Sequence, residues 1–376
     1  MTPADEFLTH ACLTYAVDSP TRRAHALTVL QAHPEIATNP HVAAALGDPT
    51  HARHAAPGGP RGWEPLLYLA YSRVPQANPV AAAEQLLAQG ADPNAAWHWN
   101  DEPSPFTVLT GVLGEGEDAA NRPRHQAEIP LATLLLNHGA DPNDNQALYN
   151  RMFNPDDSHL HLLFRHGLGT ERPHRPLCRP PDRMLHDLLL WAAANTQPDR
   201  VRLLLDHGVP PTQPYPGHPV HQRRSAIELA LRNGNPTIAA MLSEAGAPAP
   251  RLSPADAQLA DLMAGKPTTA DPATIAQNPD AVQRAAEQGK DKAIRALLSA
   301  GFPFGLALHH AALAGRATTV ETLLALGADP AARDPHHATT PAVWAAHNNH
   351  AALALRLSRA RRPTPPPASP SPHRTP

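Results

Sequence analysis

Histidine has the widest chemical repertoire of any residue in this chain, because it can ligate a metal or exchange a proton near neutral pH. The chain has 24 histidines, and three pairs are close enough in sequence to share a metal ion: His51 with His54, His336 with His337, and His347 with His350. Zinc usually needs three or four ligands, and no cysteine or carboxylate joins these pairs at motif spacing. We expect no metal and no cofactor, with metal binding by the clustered histidines as an alternative.

Two further segments imitate ligand-binding loops. Residues 111–116 contain three glycines, as phosphate-binding loops do, but neither a strand nor a dinucleotide-binding unit is predicted around them. Residues 141–145 begin like a calcium loop, but Gln146 stands where that loop needs glycine and Met152 where it needs glutamate. We expect neither segment to bind its ligand.

Motifs of known catalytic machineries are also missing from the sequence. It contains no Gly-x-Ser-x-Gly, no His-Glu-x-x-His and no cysteine with a placed histidine partner. We predict that the protein is not an enzyme and has no catalytic residue. The alternative is an effector or enzyme whose catalytic element is hidden in the irregular segment 115–180.

Tryptophans in polar surroundings suggest another kind of chemistry, that of a protein interface. Trp97 and Trp99 lie beside Asn100 and other polar residues, and Arg61 lies close to Trp63. Large aromatic and arginine side chains on exposed loops are typical anchors of protein–protein contacts. The competing interpretation is that these tryptophans cover an irregular part of the core.

The elements that position these residues are predicted by a recurring pentapeptide. Gly-Ala-Asp-Pro-Asn occurs at residues 90–94 and 139–143, and Gly-Ala-Asp-Pro returns at residues 327–330, each time after a leucine-rich stretch. A glycine can end a helix in the left-handed conformation, and the following Asp-Pro cannot continue that helix. The same helical unit has therefore been built several times along the chain.

The rest of the unit is clearest towards the end of the sequence. Ser225 is a good N-cap for a helix that stops at Gly234, and a second apolar stripe then runs to Gly246. Another copy contains an inter-helix glycine at Gly315, and Asn349 stands at the equivalent position of the next copy. Asparagine tolerates left-handed backbone angles, so we expect the same turn there.

This pattern resembles the ankyrin repeat, whose unit is a β-turn finger and two antiparallel helices with a T-P-L-H-x-A signature. Thr340 and Pro341 match the beginning of the signature, and Leu308, His309 and Ala311 match its later part. The resemblance extends from about residue 63 to 357. It implies an all-α solenoid of about eight or nine units, degenerate in the middle, in which His309 forms a hydrogen bond between repeats.

We divide the chain into three parts on this basis. Residues 1–33 are predicted to form an N-terminal helical cap, and residues 34–362 the ankyrin-type solenoid. Residues 363–376 are rich in proline and arginine and are predicted to be disordered.

The resemblance implies that an unknown partner protein binds on the concave surface of fingers and first helices. The fingers are held rigidly, so their side chains lose little freedom on binding. The candidate contact residues on the family register are Arg61, Trp63, Tyr71, Trp97, Trp99, Asn100, Asp101, Arg224, Arg232, His336, His337 and His347.

Composition limits the other classes of function. A net charge of -3 offers no footprint for nucleic acid or for an anionic membrane. Two cysteines and no apparent leader predict a cytoplasmic protein, and we expect a monomer. The 45 prolines and 24 histidines resemble the composition of ankyrin-repeat proteins of actinobacteria, so we expect a bacterial source.

Overall fold

The computed structural model describes residues 1–100, 104–172, 180–212, 221 and 223–360. They form two compact units, the first comprising Met1–Ala192 with Gln197–Pro211 and the second Ala193–Thr196 with Thr212–Pro376. Almost all regular structure in the described part of the chain is helical, which agrees with the all-α prediction. The predicted disordered tail, residues 363–376, lies outside the described residues, and the three-part division stays a prediction.

The first unit contains eleven α-helices and one pair of short strands among its described residues. Two 3-10 turns, Pro34–Thr38 and Gly59–Arg61, interrupt its loops. In chain order the elements are α1 Pro3–Ala11, α2 Pro20–Ala32, α3 Pro40–Ala45, α4 Pro65–Tyr71, α5 Pro79–Ala88, β1 Ala96–His98, β2 Pro105–Thr107, α6 Val108–Leu113, α7 Glu128–Asn137, α8 Asn145–Met152, α9 Ser158–Arg165, α10 Pro181–Ala194 and α11 Pro198–Asp206.

The described part of the second unit is entirely helical apart from its turns and loops. Its helices are α12 Ala226–Arg232, α13 Pro236–Glu244, α14 Pro254–Met263, α15 Pro272–Gln277, α16 Ala281–Glu287, α17 Asp291–Ser299, α18 Ala307–Leu313, α19 Ala317–Ala325, α20 Pro341–His347 and α21 Ala351–Arg359.

Within each unit, helices that are two apart in chain order pack against each other. In the first unit α4 packs against α6 and α6 against α8, while α5 packs against α7 and α7 against α9. In the second unit α16, α18 and α20 follow one another in the same way. The core of the second unit consists mainly of alanine and leucine side chains. Thin helix pairs leave little room for larger side chains.

Helix starts follow the local sequence signals. The Ser225 side chain accepts a hydrogen bond from the Glu228 amide at 3.4 Å, and the Glu228 side chain accepts one from the Ser225 amide at 2.9 Å. This capping box satisfies two amide donors that the first turn leaves unpaired. The prediction of Ser225 as an N-cap is confirmed.

The recurring glycines end helices as predicted. Gly327 has a φ of 99°, and the Ala328 amide beyond it donates back to the Leu323 carbonyl at 3.0 Å. This arrangement is a Schellman motif, in which only glycine adopts the left-handed angles without strain. The same geometry, with a positive φ, recurs at Gly90, Gly139, Gly167, Gly208, Gly246 and Gly301.

The turns between paired helices also have the predicted left-handed residue. Gly315 has a φ of 66°, and Asn349 in the equivalent turn has a φ of 62°. In both turns the next amide donates to the preceding helix, from Arg316 to the Ala311 carbonyl at 2.9 Å in the first case. Both turn predictions are therefore confirmed.

The asparagine of the pentapeptide links one finger to the next. The side-chain nitrogen of Asn94 donates to the Gly139 carbonyl at 2.8 Å, and its side-chain oxygen accepts from the Asp141 backbone amide at 2.7 Å. Asn143 makes the same pair of bonds to Thr170 and Gly169, at 2.8 and 2.9 Å. Successive fingers of the first unit are thus fixed at a defined spacing by side chains that the repeat supplies.

His125 couples the stability of the first unit to pH. Its ring is 3% exposed, and its Nδ1 accepts the Ala127 amide at 3.1 Å, so the ring is neutral. Burial, with a smaller contribution from the positive charge of Arg73, lowers the pKa of His125 to about 3. The unfolded chain therefore takes up this proton first as the pH falls.

We expect neutral His125 to make its full contribution to stability above pH ~6.5 and to lose it as the pH falls towards about 3. By pH ~4.5 the free energy of unfolding should have fallen by about 3 kcal/mol. Urea unfolding at pH ~6.5 and at pH ~4.5 measures this loss of stability. His125→Asn keeps an oxygen acceptor and removes the titration, so its stability should depend less on pH. An equal effect of His138→Asn, at an exposed histidine, would contradict the assignment.

None of the helices in the described part of the chain combines the length and the apolar character that a membrane crossing requires.

Candidate functional site

A short hairpin in the first unit presents the aromatic residues that the sequence singled out. Strands β1 and β2 pair antiparallel with Trp97 opposite Phe106, and the two rings lie 4.9 Å apart between centroids. The hairpin leads directly into α6, so the finger is continuous with the helix that supports it. The sequence indicated a finger here but gave no sign of strand pairing.

The hairpin rings belong to an aromatic row formed by Trp63, Trp97, Phe106, Tyr71 and Tyr15. Ring centroids lie 5.2 Å apart between Trp63 and Trp97, and 4.8 Å apart between Phe106 and Tyr15. Tilted and edge-on contacts at these distances are favourable for aromatic pairs. The row fixes the orientation of the hairpin on the helices below it.

Two of the predicted contact residues are buried within this row. Trp63 is 5% exposed and Tyr71 is 0% exposed. The expectation that Trp63 stands on an exposed loop, and that Tyr71 faces a partner, is wrong. Both rings are covered because the neighbouring finger stacks on them, and the Tyr71 hydroxyl donates to the Thr107 carbonyl at 2.7 Å. They support the surface rather than form it.

Arg61, Trp97 and Trp99 are half-buried and retain exposed area. The Arg61 guanidinium carbon lies 4.9 Å from the centroid of the Trp63 ring and 5.9 Å from that of Trp97. Asn100 is exposed beside them, while Asp101 lies outside the described residues. The structure therefore brings Arg61, Trp97, Trp99 and Asn100 together around one finger.

Next to the finger is a cleft that we call the Trp99 cleft. It has a volume of about 330 Å³, and its walls include Trp99, Phe106 and Tyr149. Glu117 and Asn150 also line it. Tyr149 is 40% exposed, and its hydroxyl donates to the Glu117 carboxylate. Burial, followed by that carboxylate, raises the pKa of Tyr149, so the phenol stays protonated at neutral pH.

The insert between α6 and α7 positions one side of the cleft. Arg122 pairs with Asp18 at 3.2 Å, and Arg73 donates to the Pro123 carbonyl at 2.7 Å. The Gly116 amide donates to the Asn150 carbonyl at 3.0 Å. These bonds hold the insert against the rest of the first unit.

The segment that imitates a phosphate loop, residues 111–116, comprises the end of α6 and the beginning of this insert. Its Gly114 amide donates to the Thr110 carbonyl at 2.9 Å, and its Glu115 amide to the Arg122 carbonyl at 2.8 Å. A β-carbon on Gly111 would lie 2.5 Å from the Tyr71 ring, so that glycine makes room for an aromatic side chain. These amide groups are already used within the protein.

Behind the insert lies a network of buried ions. Arg151 is 0% exposed and pairs with Glu128 at 2.8 Å and with Glu115 at 3.4 Å. Arg124 pairs with Glu115 at 3.0 Å, and Asp156 contacts both arginines. Each carboxylate here faces a guanidinium group, and these ion pairs fix the position of the insert.

The remaining candidates belong to the second unit. Arg224 and Arg232 both contact Asp256, and Arg232 also donates to the Asn278 side chain at 2.8 Å. They therefore have partners within their own unit. The candidate histidines His336, His337 and His347 are exposed.

Asp334 shapes the finger that carries two of these histidines. Its carboxylate accepts the amides of His336 and His337 at 3.0 and 2.7 Å, and that of Thr339 at 2.9 Å. Within the described residues no three His, Cys, Asp or Glu side chains converge as metal ligands would. His336 and His337 lie in this finger, and His347 is the last residue of α20.

Several residues of the Trp99 cleft were not found from the sequence: Tyr15, Glu117, Arg122, Tyr149 and Asn150. The mixed charge of the insert could have drawn attention to Glu117. No local signal marks Tyr15, in the loop between α1 and α2, or Tyr149, in α8, because they reach the cleft from parts of the chain that are far apart in sequence.

The paired helices, stacked in two layers within each unit, define the class as a helical-repeat protein. Residues 306–335 match the family model of the ankyrin repeat, and this range contains α18 and α19. The His309 ring is 3.2 Å from the Thr339 carbonyl of the following repeat, so the predicted bond between repeats is present. The match supports an ankyrin-repeat protein; a comparison with curated proteins gives no match.

Proposed function

We propose that this protein is a non-catalytic scaffold, an ankyrin-type α-solenoid that binds a partner protein on its fingers and first helices. The observation that carries the proposal is the surface formed by Arg61, Trp97, Trp99 and the Trp99 cleft. Ankyrin repeats generally mediate protein–protein interactions, and the matched repeat at residues 306–335 supports this role.

The composition of the surface supports a binding role. Tryptophan, tyrosine and arginine are the residues most enriched among those that dominate binding energy at protein interfaces. Here Trp97 is held by ring contacts to Trp63 and Phe106, at 5.2 and 4.9 Å. A side chain that is already ordered loses little conformational freedom on binding, so more of the contact energy remains as affinity.

The charged residues near the cleft support a non-catalytic role. Glu115 and Glu128 are paired with arginines, and Glu117 accepts a hydrogen bond from Tyr149. A general acid or base needs a carboxylate that can exchange a proton with a substrate, and these carboxylates are engaged with neighbouring side chains. A cytoplasmic monomer with no nucleic-acid or membrane partner completes the proposal, supported by the net charge of -3.

Loss of the Trp99 ring tests the proposal. Trp99 forms no ring stacking or cation–π contact with the other described residues, so Trp99→Ala should leave the melting temperature nearly unchanged. We expect it to weaken capture of the native partner by at least about tenfold, as truncation of an interface anchor does. Affinity capture from the host, followed by titration with the captured protein, measures this loss.

A control variant removes comparable apolar surface elsewhere. Val343 and Leu355 are 49% and 52% exposed in the second unit, and Val343→Ala with Leu355→Ala should leave partner affinity unchanged. Equal binding by wild type and Trp99→Ala, at partner concentrations below saturation, would contradict the proposed surface.

A further inference from the structure

The loop that carries Arg61 is held rigidly. Gly58 and Trp63 form an antiparallel bridge, with the Gly58 amide donating to the Trp63 carbonyl at 2.9 Å. The Tyr68 hydroxyl donates to the Gly58 carbonyl at 2.9 Å and accepts the Arg61 amide at 3.2 Å. The backbone of Arg61 is therefore fixed before any partner arrives.

The guanidinium group of Arg61 is also oriented in advance. It lies over the Trp63 ring at 4.9 Å and beside Trp97 at 5.9 Å, and Trp63 itself is buried. A cation stacked on tryptophan is stabilised by the negative face of the ring. Its planar fork of N–H donors is suited to two parallel hydrogen bonds with a carboxylate.

The charge of Arg61 is not matched by an anion in the described part of the chain. No described carboxylate lies within ion-pair distance of it, and its Nε is buried without a hydrogen-bond acceptor. Other half-buried or buried arginines have acceptors within the protein: Arg122 pairs with Asp18 at 3.2 Å, Arg200 pairs with Asp157 at 2.6 Å, and Arg73 donates to the Pro123 carbonyl at 2.7 Å. Burial lowers the pKa of Arg61, which means that its charge is poorly solvated.

We propose that Arg61 is the receptor for a carboxylate, so that the partner binds through an acidic side chain, Asp or Glu, of an extended segment. This inference rests on the proposed protein-binding function and specifies the chemistry of the partner. The partner carboxylate would form a bidentate pair with the guanidinium group, and the adjoining residues of the segment would lie along Trp97 towards the Trp99 cleft. The charge complementarity, rather than the apolar area, selects the partner.

Selection of peptides from a displayed dodecapeptide library on the purified full chain tests the inference without knowledge of the native partner. We expect the peptides that require Trp99 for binding to share an Asp or Glu at one position. Changing that residue to Asn or Gln, or changing the protein by Arg61→Gln, should each weaken binding by about tenfold or more. The two changes together should cost little more than either alone.

Matched variants separate charge recognition from a folding defect. Arg53→Gln removes an exposed arginine from the same unit and should bind like wild type. Arg61→Glu should bind a peptide whose shared acid is replaced by Lys better than it binds the original peptide. That reversal cannot arise from a misfolded protein, and melting curves of both Arg61 variants verify that they fold.

The outcomes distinguish this inference from the proposed function. Peptides that need Trp99 but share no acid, or that bind Arg61→Gln as well as wild type, would overturn the role of Arg61 while supporting a protein-binding surface. Selection that yields no peptide dependent on Trp99 would count against both.

Discussion

Gly234→Ala is expected to destabilise the second unit by about 3 kcal/mol or more. Gly234 has a φ of 65° in the turn between α12 and α13. A β-carbon there would lie 2.1 Å from the carbonyl oxygen of Met263 and 2.3 Å from its carbonyl carbon. These are backbone atoms at the end of α14, so relief of the clash requires α14 to move away from α12.

Gly246→Ala is the matched control for this prediction. Gly246 also has a positive φ, of 91°, but a β-carbon on it would meet no atom within 4 Å. Only the left-handed backbone strain remains there, about 1 kcal/mol. Hydrogen exchange of the α13 amides reports on the second unit, and we expect much faster exchange in Gly234→Ala than in Gly246→Ala. Similar rates in the two variants would show that α12 and α14 can separate easily.

Arg151→Ala is expected to destabilise the first unit by about 3–5 kcal/mol. Arg151 is 0% exposed and pairs with Glu128 at 2.8 Å and Glu115 at 3.4 Å. Its loss leaves these buried carboxylates with less compensating charge. Burial already raises the pKa of Glu128 despite its two arginine partners, so the remaining acid would take up a proton more readily.

The pH dependence of that variant has a definite sign. Without Arg151, the pKa of Glu128 in the folded state rises further above its value in the unfolded chain. The folded protein then binds the proton more tightly than the unfolded chain does. The loss of stability relative to wild type therefore becomes smaller as the pH is lowered through the range between the two pKa values. Urea unfolding of wild type and variant at neutral and mildly acidic pH measures the difference.

Two further variants separate loss of charge from loss of volume. Arg151→Met with Glu128→Gln removes the ion pair as a unit and should be more stable than Arg151→Ala. Arg165→Ala removes an exposed arginine from α9 and should change the stability by less than about 0.5 kcal/mol. A loss of stability in Arg165→Ala as large as that in Arg151→Ala would contradict the stabilising role of the buried network.

Much of the local structure could be predicted from the sequence. The capping box at Ser225, the left-handed turns at Gly315 and Asn349, and the helix ends at Gly90 and Gly327 all depend on a few consecutive residues. Their conformations are set by backbone sterics and short-range hydrogen bonds, which do not require knowledge of the rest of the fold.

The candidate surface could be predicted only in part. Arg61, Trp97 and Trp99 do lie around one finger, but Trp63 and Tyr71 are buried beneath it. The sequence places a residue in a loop, but its exposure depends on which other loop covers it. Burial of Trp63 comes from the hairpin that carries Trp97, and strand pairing in so short a finger leaves no clear sequence pattern.

The repeat unit, its helix ends and its turns were determined by the sequence itself, because each is a local backbone preference repeated many times. The tertiary structure alone decided the ion partners of Arg151 and the assembly of the Trp99 cleft from Tyr15, Glu117 and Tyr149. Arg151 is the one charged residue of α8, so its own helix offers no ion partner. Packing converts it into the centre of a buried network, because charge compensation depends on side chains that meet only after the helices have stacked.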